Sequence, residues 1–258
     1  MTETLKKKLA QRELVFGAWV SFSHPSISEI FAGHGFDFLA IDMEHTTISL
    51  EQAQRIIAAS QSFGVPCLPR PVSHSNDWIK PLLDSGADGI VAPMVNSKHQ
   101  SEAILDLLKF SPEGKRSFGV NRAHGYGSNF GGYVSNWNAS SIYIAQIETK
   151  ESVANITEIL SSPNLDGVMI GPYDMSGSLG VPGETTHPLV QEAEKTVIAA
   201  CKSAGKSCGT QLADFSDDNI KNAIAKGYTF IIASSDLFVL NSWAEGAEKL
   251  VKKYSNAQ

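Results

Sequence analysis

Residues 142–149, IYIAQIET, and 167–176, GVMIGPYDMS, decide how this chain is read. In each, an apolar and largely β-branched run stops at an acid: Glu148 two residues after Gln146, and Asp174 just after Gly171-Pro172. The two runs start 25 residues apart, the length of one βα repeat. Parallel neighbouring strands joined by a helix leave the sheet by the same edge, so both acids emerge side by side. Two oxygen ligands presented in this way, with the Gln146 amide near them, suit a hard divalent cation that keeps open positions for water or substrate. Either acid alone reads equally well as a helix cap. Both at matching strand ends favours ligands.

Working outward, the same alternation recurs. Strands are expected at residues 14–22, 36–42, 65–69, 89–92, 207–212 and 229–233, besides the two that open the argument. Helices are expected at 25–33, 50–63, 77–85, 97–108, 152–160, 188–203, 217–226 and 237–253, after an amphipathic amino-terminal helix. Residues 111–141, with six glycines and no sustained period, read as a long loop holding one short helix, and residues 171–183 as a glycine-rich loop. Eight strands alternating with helices and no linker between them predict a single α/β domain over 1–258, a (β/α)8 TIM barrel. No GxGxxG or P-loop motif follows a strand, which weighs against a nucleotide site.

Composition narrows the partners. The formal net charge is -6, and the cations are scattered apart from Lys6-Lys7-Lys8, which reads as the solvated face of the first helix. Nucleic acid and anionic membranes are therefore not expected as partners. Cys67, Cys201 and Cys208 are an odd count without CxxC spacing and read as core residues of a protein from a reducing compartment. The first residues lack a signal-peptide pattern and no apolar run reaches membrane-spanning length, so a cytoplasmic location is expected.

In a barrel of this kind the chemistry sits at the carboxyl ends of the strands. Those ends carry Ser21 to His24, then Asp42, Glu44 and His45, Arg70, Pro93 to Asn96, Gln146 and Glu148, Tyr173 and Asp174, Gln211 and Asp214, and Ser234 to Asp236. The set is rich in acids, as a metal site that takes a small anion would be. Arg70 lies between Pro69 and Pro71, which stiffen the backbone and hold its fork for bidentate carboxylate recognition; the plainer reading is a surface arginine. His45, beside Asp42 and Glu44, is a plausible base, although a lone histidine equally well closes a loop. No strand ends in lysine, which disfavours Schiff-base chemistry.

IDMEHT, LPRPV, LLDSGADGIVAPMV, SPEGKRSFG, QIET and IGPYDMSGSLG, in this order and with these gaps, resemble the HpcH/HpaI family of class II pyruvate aldolases, which includes 4-hydroxy-2-oxoheptane-1,7-dioate aldolase and 2-keto-3-deoxy sugar acid aldolases. The similarity runs from Gly17 to about Phe238. It implies a barrel assembled as a homohexamer from dimers that exchange the last helix. It further implies Glu148 and Asp174 as metal ligands, Gln146, Tyr173 and Asp174 as pyruvate contacts, Arg70 at the keto-acid oxygen, and His45 as base with Asp84 as its partner. Asp84 falls near the end of a helix, at the edge opposite His45. Either that helix ends early, or Asp84 reaches His45 by another route such as a subunit interface. Two departures stand out. Thr46-Thr47 replace a small residue and a proline, where the aldehyde end would pass, and Tyr173-Asp174-Met175 replace Ala-Asp-Leu.

The expectation is metal-dependent, reversible cleavage of a 2-keto-4-hydroxy acid to pyruvate and an aldehyde through a metal-stabilised enolate, with Mg2+, Mn2+, Co2+ or Zn2+ as cofactor. Oxaloacetate decarboxylation, an acyl-thioester lyase using the same chemistry, and a non-catalytic keto-acid-binding barrel are the alternatives.

Overall fold

Apolar runs bounded by capped amphipathic helices fold as alternating elements in the computed structural model, which describes residues 4–255; residues 1–3 and 256–258, the outermost parts of the expected domain, lie outside the described residues. In chain order the elements are α1 (Leu5–Gln11), β1 (Val15–Val20), α2 (Pro25–Ala32), β2 (Phe38–Asp42), α3 (Leu50–Ser62), β3 (Cys67–Arg70), α4 (Asn76–Asp84), β4 (Gly89–Ala92) and α5 (Lys98–Leu108). A 3-10 turn (Arg122–His124) and α6 (Phe130–Ser140) precede β5 (Ile142–Ile147), α7 (Lys150–Ala154), α8 (Ile156–Leu160), β6 (Gly167–Ile170) and α9 (Pro172–Ser178). The chain continues through α10 (Pro188–Ala204), β7 (Ser207–Leu212), α11 (Asp217–Lys226), β8 (Phe230–Ser235) and α12 (Asp236–Ser255).

The strands are parallel and run β3-β2-β1-β8-β7-β6-β5-β4 around the sheet. Between β4 and β3 the Asp88 N–H donates to the Cys67 carbonyl at 3.0 Å and the Cys67 N–H to Asp88 Oδ2 at 2.9 Å, so the barrel is nearly closed. Trp19, Phe38, Leu68, Val91, Ile144, Met169 and Phe230 fill the interior, and Leu5 and Leu9 of α1 join them to plug the amino mouth. Two rings determine where side chains are excluded: a Cβ at Gly17 would lie 2.4 Å from the Phe38 ring, and one at Gly209 2.0 Å from that of Phe230.

A device at the amino rim repeats four times. The Asp37 carboxylate accepts the Phe16 N–H (2.8 Å), Asp88 that of Cys67 (2.9 Å), Asp166 that of Tyr143 (2.8 Å), and the Thr229 hydroxyl that of Cys208 (3.0 Å). Each even-numbered strand is thereby stapled to the odd strand before it, and the backbone N–H of the same residue donates back to that strand. The weak βα repeat in the sequence is a repeat of strand pairs.

The structure departs from expectation in three places. Residues 111–141 hold an eleven-residue helix, α6, anchored by Trp137, whose indole N–H donates to the Leu108 carbonyl at 2.7 Å. The helix expected at 152–160 is broken at Asn155 into α7 and α8. A short helix, α9, replaces part of the expected glycine-rich loop, started by Pro172 at its first position. Among the described residues, no helix is long and apolar enough to cross a membrane.

Candidate active site

Register brings the site together. Asp42 and Arg70 pair directly across β2 and β3, each the last residue of its strand, so the acid and the guanidinium meet at the carboxyl rim. Asp42 Oδ1 takes Arg70 at 2.8 Å and also accepts the N–H groups of Glu44 (3.1 Å) and His45 (3.2 Å). One buried carboxylate thus sets both the arginine and the following loop. Thr46 adds a hydroxyl bond to the Asp42 carbonyl, which ties the first departure from the family pattern to the loop backbone.

Arg70 is 7% exposed and stacks over the Trp19 ring, its central carbon 4.8 Å from the ring centre. Its other contacts are Glu44 Oε2 at 3.2 Å and Gln146 Oε1 at 3.3 Å. Gln146, buried on β5, donates its amide to Glu148 Oε2, and Glu148 Oε1 accepts the Met94 N–H at 2.6 Å. A continuous polar chain therefore runs from Asp42 through Arg70 and Gln146 to Glu148.

Asp174 lies exposed in the first turn of α9, where the helix dipole favours an anion. Burial pushes Glu148 up to about 7, with the Met94 hydrogen bond opposing the shift and the charges of Glu44 and Asp174 adding to it. Burial likewise raises Glu44, against the pull of Arg70 and His45. Asp42 and Glu44 pair with one guanidinium, and Glu148 and Asp174 add their charge beside it, an excess of negative charge that a divalent cation would relieve. Glu44 Oε2 is buried without a well-directed hydrogen bond, which fits the same deficit. Among the described residues no three His, Cys, Asp or Glu side chains form a ready ligand cage. A cation here would rest on Glu148 and Asp174, with water or substrate in its other positions; hard cations such as Mg2+ are held in that way.

His45 is largely exposed at the rim, with Nε2 3.7 Å from Glu44 Oε2. Tyr173 is exposed beside Asp174. The structure does not bring Asp84 to this rim. Helix α4 runs all the way to Asp84, which stands at the amino side five residues before β4, so an early helix end is not the route to His45. Asp84 Oδ1 instead holds the buried Arg116 at 2.9 Å, and Arg116 also donates to the Tyr133 hydroxyl at 2.9 Å and lies over the rings of Trp137 (4.6 Å) and Phe110 (4.7 Å). The one buried lysine among the described residues, Lys109, is also at the amino side. Its ammonium donates to the Asn138 carbonyl (2.6 Å) and the Ser141 hydroxyl (2.8 Å), and burial lowers it to about 8. That ammonium is enclosed among backbone and hydroxyl oxygens at the end of the barrel away from the acids, so it takes no part in the site.

Asp42 and Glu44 appeared in the sequence only as strand-end acids, Met94 only as part of the strand-end span 93–96, and Trp19 carried no signal of a role in the site. Trp19 was legible only as a strand residue, and nothing in the sequence marks the Met94 backbone.

The family model for HpcH/HpaI aldolase/citrate lyase matches residues 15–242. A hydroxypyruvate/pyruvate aldolase from Roseobacter denitrificans is 34% identical over 92% of this chain and 92% of its own length. A 2-keto-3-deoxy-L-rhamnonate aldolase from Escherichia coli O17:K52:H18 is 32% identical over 92% of this chain and 88% of its own. The crystal structure of an HpcH/HpaI aldolase/citrate lyase family protein from Burkholderia cenocepacia superposes with a TM-score of 0.90 at 29% identity, covering 97% of this chain and all of that one.

Proposed function

The chain belongs to the HpcH/HpaI aldolase/citrate lyase family and is a carbon–carbon lyase, and from that premise we propose that it splits a 2-keto-4-hydroxy acid reversibly into pyruvate and an aldehyde. The observation that carries this reading is the polar chain Asp42–Arg70–Gln146–Glu148 on one rim, with more acids than cations around it. A divalent cation on Glu148 and Asp174, Mg2+, Mn2+, Co2+ or Zn2+, would supply Lewis-acid polarisation of the keto group, worth several kcal/mol.

The chain's own residues do the rest. Arg70, fixed by Asp42 and Trp19, presents its guanidinium to the keto oxygen, where it opposes the negative charge that develops as the carbon–carbon bond breaks. Gln146, held between Arg70 and Glu148, and the first-turn backbone at Tyr173 and Asp174 orient the pyruvate half. His45 takes the proton from the 4-hydroxyl in cleavage and returns it in synthesis, its backbone set by Asp42 and its ring next to Glu44. Asp84 takes part only if a second copy of the chain delivers it, because in its own chain it neutralises Arg116 at the far rim.

Helix α12 supports an assembly. Over 20 residues it leaves Phe238, Leu240, Trp243, Leu250, Val251 and Tyr254 exposed, more apolar surface than a free helix keeps in water. Its docking on a second copy would build the homohexamer from exchanged dimers. Buried free Cys67, Cys201 and Cys208 suit a reducing, cytoplasmic setting.

The test is release of pyruvate from a panel of 2-keto-4-hydroxy acids and from oxaloacetate, before and after treatment with EDTA. The reading requires faster release from the hydroxy acids and its loss on chelation, restored by added Mn2+ or Mg2+. Release that survives EDTA but ends on borohydride reduction with pyruvate would overturn it, and preference for oxaloacetate would favour the decarboxylase alternative.

A further inference from the structure

Arg12, Met94, Tyr126 and Ser234 are the described residues other than glycine with a left-handed backbone. That conformation crowds Cβ against the following carbonyl oxygen, and only glycine enters it freely. Arg12 caps the carboxyl end of α1, an ordinary use. Met94 (φ 51) caps no helix, and its side chain is 42% exposed, so core packing does not hold it there.

What the turn at Met94 achieves is local. Two successive N–H groups point at the end of β5: that of Met94 reaches Glu148 Oε1 at 2.6 Å, and that of Val95 the Gln146 carbonyl at 3.2 Å. Further along the same loop, Asn96 takes the Thr149 hydroxyl on its side chain and the Asn155 amide on its carbonyl (2.9 Å). The opposite side of Glu148 is limited by Gly171. A Cβ there would lie 2.7 Å from Glu148 Oε2 and 3.0 Å from Gln146 Nε2. The carboxylate therefore sits between a strained peptide and a glycine with no room for a side chain.

We propose that Met94 and Gly171 are positioning residues that fix the Glu148 carboxylate in one orientation before a cation arrives. This rests on the functional reading above, in which Glu148 is a ligand. Strain retained at a site of this kind has a use where the neighbouring structure enforces it. Here the Met94 N–H takes one lone pair of Oε1 and the Gln146 amide one of Oε2, so both oxygens are fixed and each keeps a lone pair for a ligand.

The experiment is calorimetric titration of chelator-stripped protein with Mn2+, paired with thermal unfolding in EDTA. Met94→Ile, β-branched and averse to the left-handed region, should bind Mn2+ roughly ten- to a hundredfold more weakly, the usual cost of losing a group that orients a ligand. Met94→Gly keeps the N–H without the strain and should bind at least as tightly as the parent chain. Gly171 has φ -99 and ψ 91, which alanine adopts, so Gly171→Ala acts through its contacts with Glu148 and the Gln146 amide that holds it, and should weaken Mn2+ about tenfold. A purely structural role would move the unfolding midpoint and leave Mn2+ affinity untouched. If the parent chain takes up no Mn2+, the functional reading falls and this inference with it. If the parent binds and Gly171→Ala binds equally well, the inference falls alone, even should Met94→Ile fail to fold.

Discussion

Strand β5 has an acid at each end, and the two are treated in opposite ways. At its amino end, across β5 and β6, Asp166 accepts the Tyr143 N–H at 2.8 Å and the Lys6 ammonium at 2.8 Å, a paired charge that Asp37 repeats with Lys8. Asp88 keeps the strand staple with the Gln61 amide in place of a cation and is raised by burial. At its carboxyl end Glu148 is buried with no cation in hydrogen-bond contact, has Glu44 and Asp174 for electrostatic neighbours, and is pushed up to about 7. The same residue chemistry closes the barrel where it is matched and is available for reaction where it is not. Buried unmatched charge costs stability, so the clustering of raised acids Glu44 and Glu148 beside Asp174 at the carboxyl rim, where Asp88 at the amino rim stands alone among the described residues, points to use.

The strongest way to break this comparison is Glu148→Gln. Aldol cleavage should fall by about three orders of magnitude, the equivalent of the several kcal/mol assigned to Lewis-acid help. The unfolding midpoint in EDTA should move little, because removing a buried charge offsets the one hydrogen bond from Met94 or Gln146 that the amide nitrogen cannot accept. A large loss of stability with activity retained would place Glu148 among the structural acids. Arg70→Lys comes next. It keeps a charge but loses the fork that spans Asp42, Glu44 and Gln146, and kcat/KM for cleavage should drop about a hundredfold. Near-normal turnover would remove Arg70 from the mechanism.

The opposite pattern is expected at the amino rim. Asp166→Asn weakens the bond to Tyr143 and leaves Lys6 without its carboxylate, so denaturant unfolding should show a loss of about 2 kcal/mol. The kcat of the folded fraction should stay as it was. A fall in kcat without a fall in stability would erase the distinction between the rims.

How much of this was legible follows from what each feature depends on. The barrel and the place of Glu148 directly after β5 were readable because an apolar run ending in an acid is a purely local pattern, whereas Asp174 stands in the first turn of α9, where a loop was expected. The hub role of Asp42 was not, since it depends on the register that sets Asp42 opposite Arg70, and register is a tertiary fact. Helix α6, FGGYVSNWNAS, carries two glycines and weak helix formers, and Trp137 and its neighbours hold it against propensity. Met94 was beyond reach because nothing local favours a left-handed methionine. The problem seen with Asp84 was visible from helix direction alone, and its partner Arg116 lies 32 residues on in a stretch without a pattern.

The effect furthest from the chemistry concerns Lys109, which tests whether the amino rim tolerates a cation held by carbonyl and hydroxyl oxygens. Burial lowers Lys109 from 10.5 to about 8, so between those values the unfolded chain binds the proton that the folded chain has released. Stability should therefore rise as pH increases from about 8 to 10.5 as far as this group is concerned, and below pH 8 its penalty is constant. Lys109→Met should flatten that rise in urea unfolding followed across the window, while also losing the bonds to Asn138 and Ser141. An unchanged slope would mean that the ammonium is as well served in the fold as in water. The two rims would then differ in where acids are left unmatched and not in how each burial of charge is tolerated.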